Sequence, residues 1–251
     1  MSITYRIAAI LRALKGKMRP YTTAVILAGG AGSRMGSKEG LTKQLMLLDG
    51  VPVLIRSALA FERSDYIDEI VIVARKEELS DVEFLVREYG LTKISRIVTG
   101  GKTRQLSALR GLRSVSKKTK YVAFHDAARC LVTPHMIADV VSAAYANRAA
   151  SAGCPCIDTM KRVNTKGYIV ETLDRSSMYH AQTPQVFDVN LYQAAAYSAK
   201  KNKEDLTDDN MLMESIGQAV KMVDTGRENI KLTTPLDFKI AEAILKNRQE
   251  E

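Results

Sequence analysis

Arg34 and Lys43 are fixed cations on and just after the stretch AVILAGGAGSRMG, residues 24–36. Its first part, Ala24-Val25-Ile26-Leu27, is short, apolar and partly β-branched, which predicts a buried strand. The strand breaks into Ala28, Gly29, Gly30 and Gly32, where backbone N–H groups can crowd around an anion. Strand, glycine turn and cation together predict a phosphate site. Two common glycine motifs fail on spacing. A dinucleotide fingerprint needs G-x-G-x-x-G, but Gly30 and Gly32 are followed by Met35 at the third position, with Gly36 one place late. A Walker A loop ends in G-K-[ST]; Gly101-Lys102-Thr103 supplies that tail, but Arg96 stands where the earlier glycine is required. A tight strand–helix turn without a ligand is the plain alternative, and the two nearby cations weigh against it.

The elements that must position these residues follow a βα rhythm. Strands are expected at Glu69–Arg75, at SRIVTGG and at Lys120–Ala127. Helices are expected from about Val53, over Lys76–Tyr89 with Gly90 as the stop, and over His135–Asn147. The segment TRQLSALRGLRSV reads as amphipathic, with Leu106, Leu109 and Leu112 on one side. Alternation of this kind predicts an α/β fold: a Rossmann-like, mostly parallel sheet covered by helices on both faces. Ligands in such sheets bind beyond the carboxyl ends of the strands. The loops at Gly29–Gly36, Gly100-Gly101 and His125-Asp126 all lie at such ends, so they are expected to meet at one crevice.

The rhythm changes after Pro155. Period-two alternation around Thr165-Lys166-Gly167 predicts a protruding β-hairpin arm at about 157–176. A short strand and helix follow around Val186–Lys200, then a polar stretch, another helix, and a last strand in AVKMVDTG. Pro235 opens a C-terminal helix in the position proline favours. The chain divides into a basic amphipathic extension, 1–21, and a single domain, 22–251, that includes the arm.

Composition narrows the partners. The chain has 251 residues and a formal net charge of +9, which suits nucleic acid, an anionic membrane or anionic small substrates. The basic residues form no long block and Trp is absent, so no nucleic-acid partner is expected. Three cysteines, Cys130, Cys154 and Cys156, imply no disulfide framework and fit a reducing cytoplasm. With three His residues a zinc site is not expected. In the extension, Ile7, Ile10, Leu11 and Leu14 recur at helical spacing among basic residues. Such a helix could lie on a membrane surface; packing on its own domain or on a partner is the plainer expectation.

The segments AGGAGSRMG and TKQ resemble the glycine-rich loop of sugar-phosphate nucleotidyltransferases. From about Thr23 to Leu245 the chain resembles the 2-C-methyl-D-erythritol 4-phosphate cytidylyltransferase family, through GGKTRQLSALRGL, HDAAR, IDTMK, DRSSMYHAQTPQVF, TDD and ENIKLTTPLD in that order. The resemblance implies that CTP and a sugar-alcohol phosphate give a CDP-alcohol and pyrophosphate. It assigns Arg34, Lys43 and Lys231 to catalysis at the triphosphate. It gives Ala28, Gly29, Gly30 and Gly32, with Gly100, Gly101 and Ser107, to the nucleotide. Asp126 matches the metal-binding aspartate, with Mg²⁺ the expected ion. Arg129, Thr159, Arg175, Thr183 and Thr207 match positions around the acceptor. In the family the arm crosses to a second subunit, which implies a homodimer in which Thr159 and Arg175 serve the partner's site. Three departures stand out: Thr42 replaces the usual proline before the loop lysine, Arg34 and Lys43 are farther apart than in the motif, and Cys130 follows HDAAR where proline is usual. A ribitol-5-phosphate cytidylyltransferase and a non-catalytic nucleotide-binding protein are the rival readings. From the residues alone, Asp208 and Asp209 read as a surface turn or helix cap, and His125 as a packed histidine.

Overall fold

A computed structural model describes residues 19–30, 42–202 and 208–250. Gly32, Arg34 and Thr207, and the helical pattern at 7–14, lie outside the described residues.

The centre of the fold is β1 (Thr22–Leu27), buried along its whole length. Its alternate side chains serve opposite faces, as the strand period demands. Ala24 and Ile26 pack with Leu54, Phe61, Ile137 and Val140. Val25 and Leu27 pack with Phe124, Phe187 and Tyr192 on the other face. A fully buried side chain of this size contributes roughly 1.5–3 kcal/mol relative to exposure. The apolar run in the sequence is therefore read correctly as a strand covered on both sides.

Chain order is β1, the short hairpin β2 (Leu47–Leu48) and β3 (Val51–Pro52), α1 (Val53–Glu62), β4 (Glu69–Ala74), α2 (Leu79–Glu88), β5 (Ile94–Thr99), α3 (Arg104–Leu112), β6 (Tyr121–Asp126) and α4 (Pro134–Asn147). It continues with β7 (Ala149–Pro155), β8 (Lys161–Val163), β9 (Ile169–Thr172), β10 (Tyr179–Asp188), α5 (Val189–Asn202), α6 (Asp209–Glu214), β11 (Lys221–Asp224) and α7 (Pro235–Glu250). The main sheet has seven strands in the order β11-β7-β10-β6-β1-β4-β5. Only β10 runs antiparallel to its neighbours, β6 and β7. The mostly parallel α/β architecture is as expected.

Register sets the future site. Leu27 on β1 pairs with Val73 on β4 and with Asp126 on β6. The loop after β1 thus begins directly beside Asp126. The β2–β3 turn is Asp49-Gly50, with φ of 48° and 73°, the positive pair a two-residue hairpin requires.

Three expectations need correction. The strand β7 was not anticipated, because AASAGCP carries almost none of the β-branched or aromatic residues that mark strands. Small residues are needed there: a Cβ on Gly153 would meet Met222 and the neighbouring β10 backbone. The strand near Val186 is ten residues long, starts at Tyr179 and is antiparallel. Leu106 does not share a buried face with Leu112; it is 45% exposed. Thr103 caps α3 by accepting from the Leu106 N–H at 3.1 Å. That start aims Ser107, Ala108, Gly111 and Leu112 at the sheet. Gly111 lies so close to β1 and β4 that a Cβ would meet Val25 and Val73.

The arm forms as expected, with β8 and β9 paired antiparallel apart from the main sheet. Its turn uses Asn164, whose side chain accepts from Lys166 and Tyr168 N–H groups, and Gly167 at φ 83°. At the opposite, amino edge of the main sheet, Arg19 grips Asp68 through two nitrogens at 2.7 and 2.9 Å.

Candidate active site

A cleft of about 380 Å³ opens beyond the carboxyl ends of β1 and β6. Seven residues expected at the site line it together: Gly29, Gly30, Lys43, Gly101, Ser107, Asp126 and Lys231. Gln44, Lys102, Thr103, Arg104 and Thr233 complete much of the wall. The described parts of the three loops read as converging, at Gly29-Gly30, Gly101 and Asp126, meet at this cleft.

The glycine side is built by α3. The Ser107 hydroxyl accepts from the Gly101 N–H at 3.0 Å and donates to the Thr103 carbonyl at 3.0 Å. It locks the loop between β5 and α3. Ser107 is therefore buried rather than solvated. Gly101 has no room for a side chain, since a Cβ would collide with Leu106. Gly100 turns toward an adjoining groove lined by Gly29, Lys76 and Arg110. Ala28 is buried and donates its N–H to the Val73 carbonyl at 2.7 Å.

Opposite the glycines, Asp126 holds two cations. Its Oδ1 accepts from Arg104 Nε at 3.1 Å and its Oδ2 from Lys231 Nζ at 2.6 Å. Burial would push this carboxyl up, but Arg104 and then Lys231 overcome that and hold it well below the usual carboxylate range. Lys43 reaches the same wall from the loop before β2, donating to the Leu232 carbonyl at 2.9 Å. A lysine near the start of the chain and one near its end are thus brought to one cleft.

Behind Asp126 lies a second layer. The Asp126 N–H donates to the Thr183 hydroxyl at 3.1 Å, and that hydroxyl is 3.0 Å from His125 Nδ1. His125 Nε2 is 3.2 Å from the Arg129 carbonyl, which can only accept. Nε2 therefore carries the proton, and Nδ1 accepts from Thr183. Burial pushes the His125 imidazole down to about 3, so it is neutral. His125 is a packed, hydrogen-bonded histidine, as its sequence context suggests.

The acceptor positions are divided. Thr183 is buried in this second layer. The Arg129 guanidinium ties down two loops, donating to the carbonyls of Asn229 at 2.8 Å and Ala181 at 3.2 Å. Thr159 and Arg175 are exposed at the base of the arm, with Arg175 donating to the Ile157 carbonyl. They do not line the cleft of their own chain.

Two residues were missed or misread. Arg104, in GGKTRQLS, received no role from sequence. Its Nη1 also donates to Asp209 Oδ2 at 2.7 Å. Asp209 is not on the surface, as its polar neighbourhood suggests, but 2% exposed. Asp208 does cap α6, accepting from the Met211 N–H. The pair Arg104–Asp209 spans 105 positions, so no local spacing could reveal it.

Among the described residues no group of three His, Cys, Asp or Glu side chains could hold a metal ion. Asp126 is the carboxylate that lines the cleft. One carboxylate beside a phosphate site suits Mg²⁺, which commonly takes one or two carboxylates plus phosphate oxygens.

A cationic cleft at the carboxyl edge of a mostly parallel sheet, walled by glycines, is the architecture of an α/β protein that handles phosphorylated nucleotides. The comparisons with known proteins narrow this. The family model described as 2-C-methyl-D-erythritol 4-phosphate cytidylyltransferase matches residues 22–247. A protein of that name from Syntrophus aciditrophicus is 40% identical over 233 residues, 92% of this chain and 99% of the relative. One from Pelotomaculum thermopropionicum is 40% identical over 90% of this chain and 94% of its own. Among solved structures, a 4-diphosphocytidyl-2C-methyl-D-erythritol synthase from Anaerococcus prevotii superposes with a TM-score of 0.80 at 29% identity, covering 90% of this chain and 99% of that one. The chain belongs to the 2-C-methyl-D-erythritol 4-phosphate cytidylyltransferase family.

Proposed function

We propose that this protein transfers CMP from CTP to 2-C-methyl-D-erythritol 4-phosphate, giving a CDP-alcohol and pyrophosphate, in non-mevalonate isoprenoid synthesis. The observation that carries this reading is the Asp126 carboxylate, paired with Arg104 and Lys231 in the same cleft as Lys43, in a chain of this family.

The acceptor phosphate needs no activation, because a phosphate monoester is largely a dianion near neutral pH, with a second pKa of about 6. One of its oxygens attacks the α-phosphorus of CTP. The bond from that phosphorus to the bridging oxygen breaks, and pyrophosphate leaves with the electron pair. The barrier is charge: two polyanions must approach, and negative charge builds on the transferring group. Lys43, Lys231 and Arg34 are the cations assigned to it. Ala28, Gly29, Gly30 and Gly32 offer backbone to the triphosphate, while Gly100, Gly101 and Ser107 frame the nucleoside. Asp126 would hold Mg²⁺, which supplies charge neutralisation on the triphosphate. Arg129, Thr183 and Thr207 belong to the acceptor side. Thr159 and Arg175 reach the partner's cleft through the arm of a homodimer. A cytoplasmic location fits the three free cysteines, and no helix among the described residues is long and apolar enough to cross a membrane.

The decisive assay supplies CTP, Mg²⁺ and either 2-C-methyl-D-erythritol 4-phosphate or ribitol 5-phosphate, and follows pyrophosphate release and product mass. Turnover with the first acceptor and little with the second is expected. Preference for ribitol 5-phosphate overturns the substrate, and CTP binding without turnover on either overturns the reaction.

A further inference from the structure

The two oxygens of Asp126 have unlike partners. Lys231, on Oδ2, is a flexible ammonium whose side chain is 40% exposed. Arg104, on Oδ1, is a planar fork fixed at both ends. Its far end holds Asp209, whose other oxygen accepts from the Tyr192 hydroxyl at 2.6 Å. Asp209 also takes a backbone tie, its N–H donating to Gln185 Oε1 at 3.2 Å. Tyr192 is fully buried on α5, and Asp209 does not line the cleft.

A guanidinium bound through two nitrogens cannot rotate without losing one bond, whereas an ammonium can pivot or leave. Moving Arg104 would strand Asp209 as a buried, unpaired charge. Moving Lys231 strands nothing buried. We infer that Arg104 is a positioning residue for the transfer reaction: anchored on Asp209 and Tyr192, it keeps Oδ1 of Asp126 permanently engaged and presents Oδ2 to the phosphate side, where Lys231 is the exchangeable partner. This rests on the cytidylyl-transfer reading and adds to it a buried chain of contacts from α5 and α6 to the cleft.

The rival is a merely structural role, in which Arg104 only neutralises buried carboxylates. Asp209→Asn separates the two, because it loosens the anchor without touching the cleft. Steady-state kinetics, thermal melting and Mn²⁺ binding to the enzyme–CTP complex by electron paramagnetic resonance are measured together. For folded Asp209→Asn, kcat is expected to fall about 10-fold and Mn²⁺ affinity by a similar factor, as for other residues that orient a metal's ligand. KM for CTP at saturating Mg²⁺ rises by no more than the same factor, because metal and nucleotide affinities are linked, and the fall in kcat is read at saturating CTP. Arg104→Lys keeps the charge but not the fork, and is expected to show a loss at least as large. Unchanged kcat and Mn²⁺ affinity in folded Asp209→Asn overturns the inference, as does full activity in Arg104→Lys. Should Arg104→Lys fail to fold, Arg104→Gln with Asp209→Asn removes both charges together. Its loss should match that of Arg104→Gln alone within about two-fold, because the two residues act as one unit; additive losses overturn the inference. If the wild type transfers CMP to neither acceptor, the functional reading fails, while the Mn²⁺–CTP titration still decides this inference.

Discussion

The cleft wall and the arm are built on opposite principles. Around Asp126, charged and polar groups answer one another within a single chain: Arg104, Lys231, Thr183, His125 and Asp209 each have a named partner. The arm is the reverse. Tyr168 is 70% exposed and Ile169 63%, with Val163 and Val170 exposed beside them among the described residues. A charge network that closes within one chain is built by that chain's own fold. Exposed apolar surface of this kind marks interaction sites, and in the homodimer proposed above its occupant is a second copy.

The largest expected effect breaks the cleft side of that contrast. Lys231→Ala should lower kcat by about 100-fold or more, the usual cost of removing a donor that stabilises transition-state charge. Its side chain is half-exposed and Asp126 keeps Arg104, so the melting temperature should barely move. A variant near wild-type rate in a pyrophosphate-release assay removes Lys231 from the chemistry.

The next test concerns the support behind the cleft. His125 is neutral when folded, with its pKa lowered from 6.5 to about 3. The unfolded chain therefore takes up a proton first as pH falls. Stability is undiminished above about pH 6.5 and is lost progressively between there and about 3. Between pH 7 and pH 5 the loss from this one group should be about 2 kcal/mol, read from urea midpoints. His125→Gln should flatten that slope. Asp126, held below its ordinary value, begins its own acid loss only as pH falls into the ordinary carboxylate range, so it adds little to the His125 slope between pH 7 and pH 5. An identical slope in His125→Gln assigns the acid sensitivity elsewhere.

The smallest effect sharpens the arm side. Ile169→Arg removes no contact from the core of its own chain, so the monomer's stability should shift by no more than about 0.5 kcal/mol. Sedimentation velocity should show a smaller species, and KM for the acceptor should rise about 10-fold as Thr159 and Arg175 leave the neighbouring cleft. Unchanged sedimentation would separate the arm from assembly.

Most of the architecture was legible because burial leaves a period in the sequence. β1, β4 and β6 are apolar runs, and the arm alternates around Gly167. β7 was hidden by its small residues, which answer to close strand packing that no single segment displays. Asp209 looked like a surface polar because its partners, Arg104 and Tyr192, lie on other elements. Arg104 was invisible for the same reason: its role exists only once α3, β6 and α6 are assembled. Composition records how an element meets solvent and core, and it is silent about which buried charges find one another.

The pairing of Leu27 with Asp126 has a further consequence. Side chains alternate across a strand, so one residue inserted in β1 would exchange the sets packed on its two buried faces and carry the glycines out of step with the aspartate. The packing of the interior therefore acts as a vernier for the reaction centre. Loops at the rim can lengthen or change over time, but the phase of this strand cannot drift without the loss of fold and chemistry together.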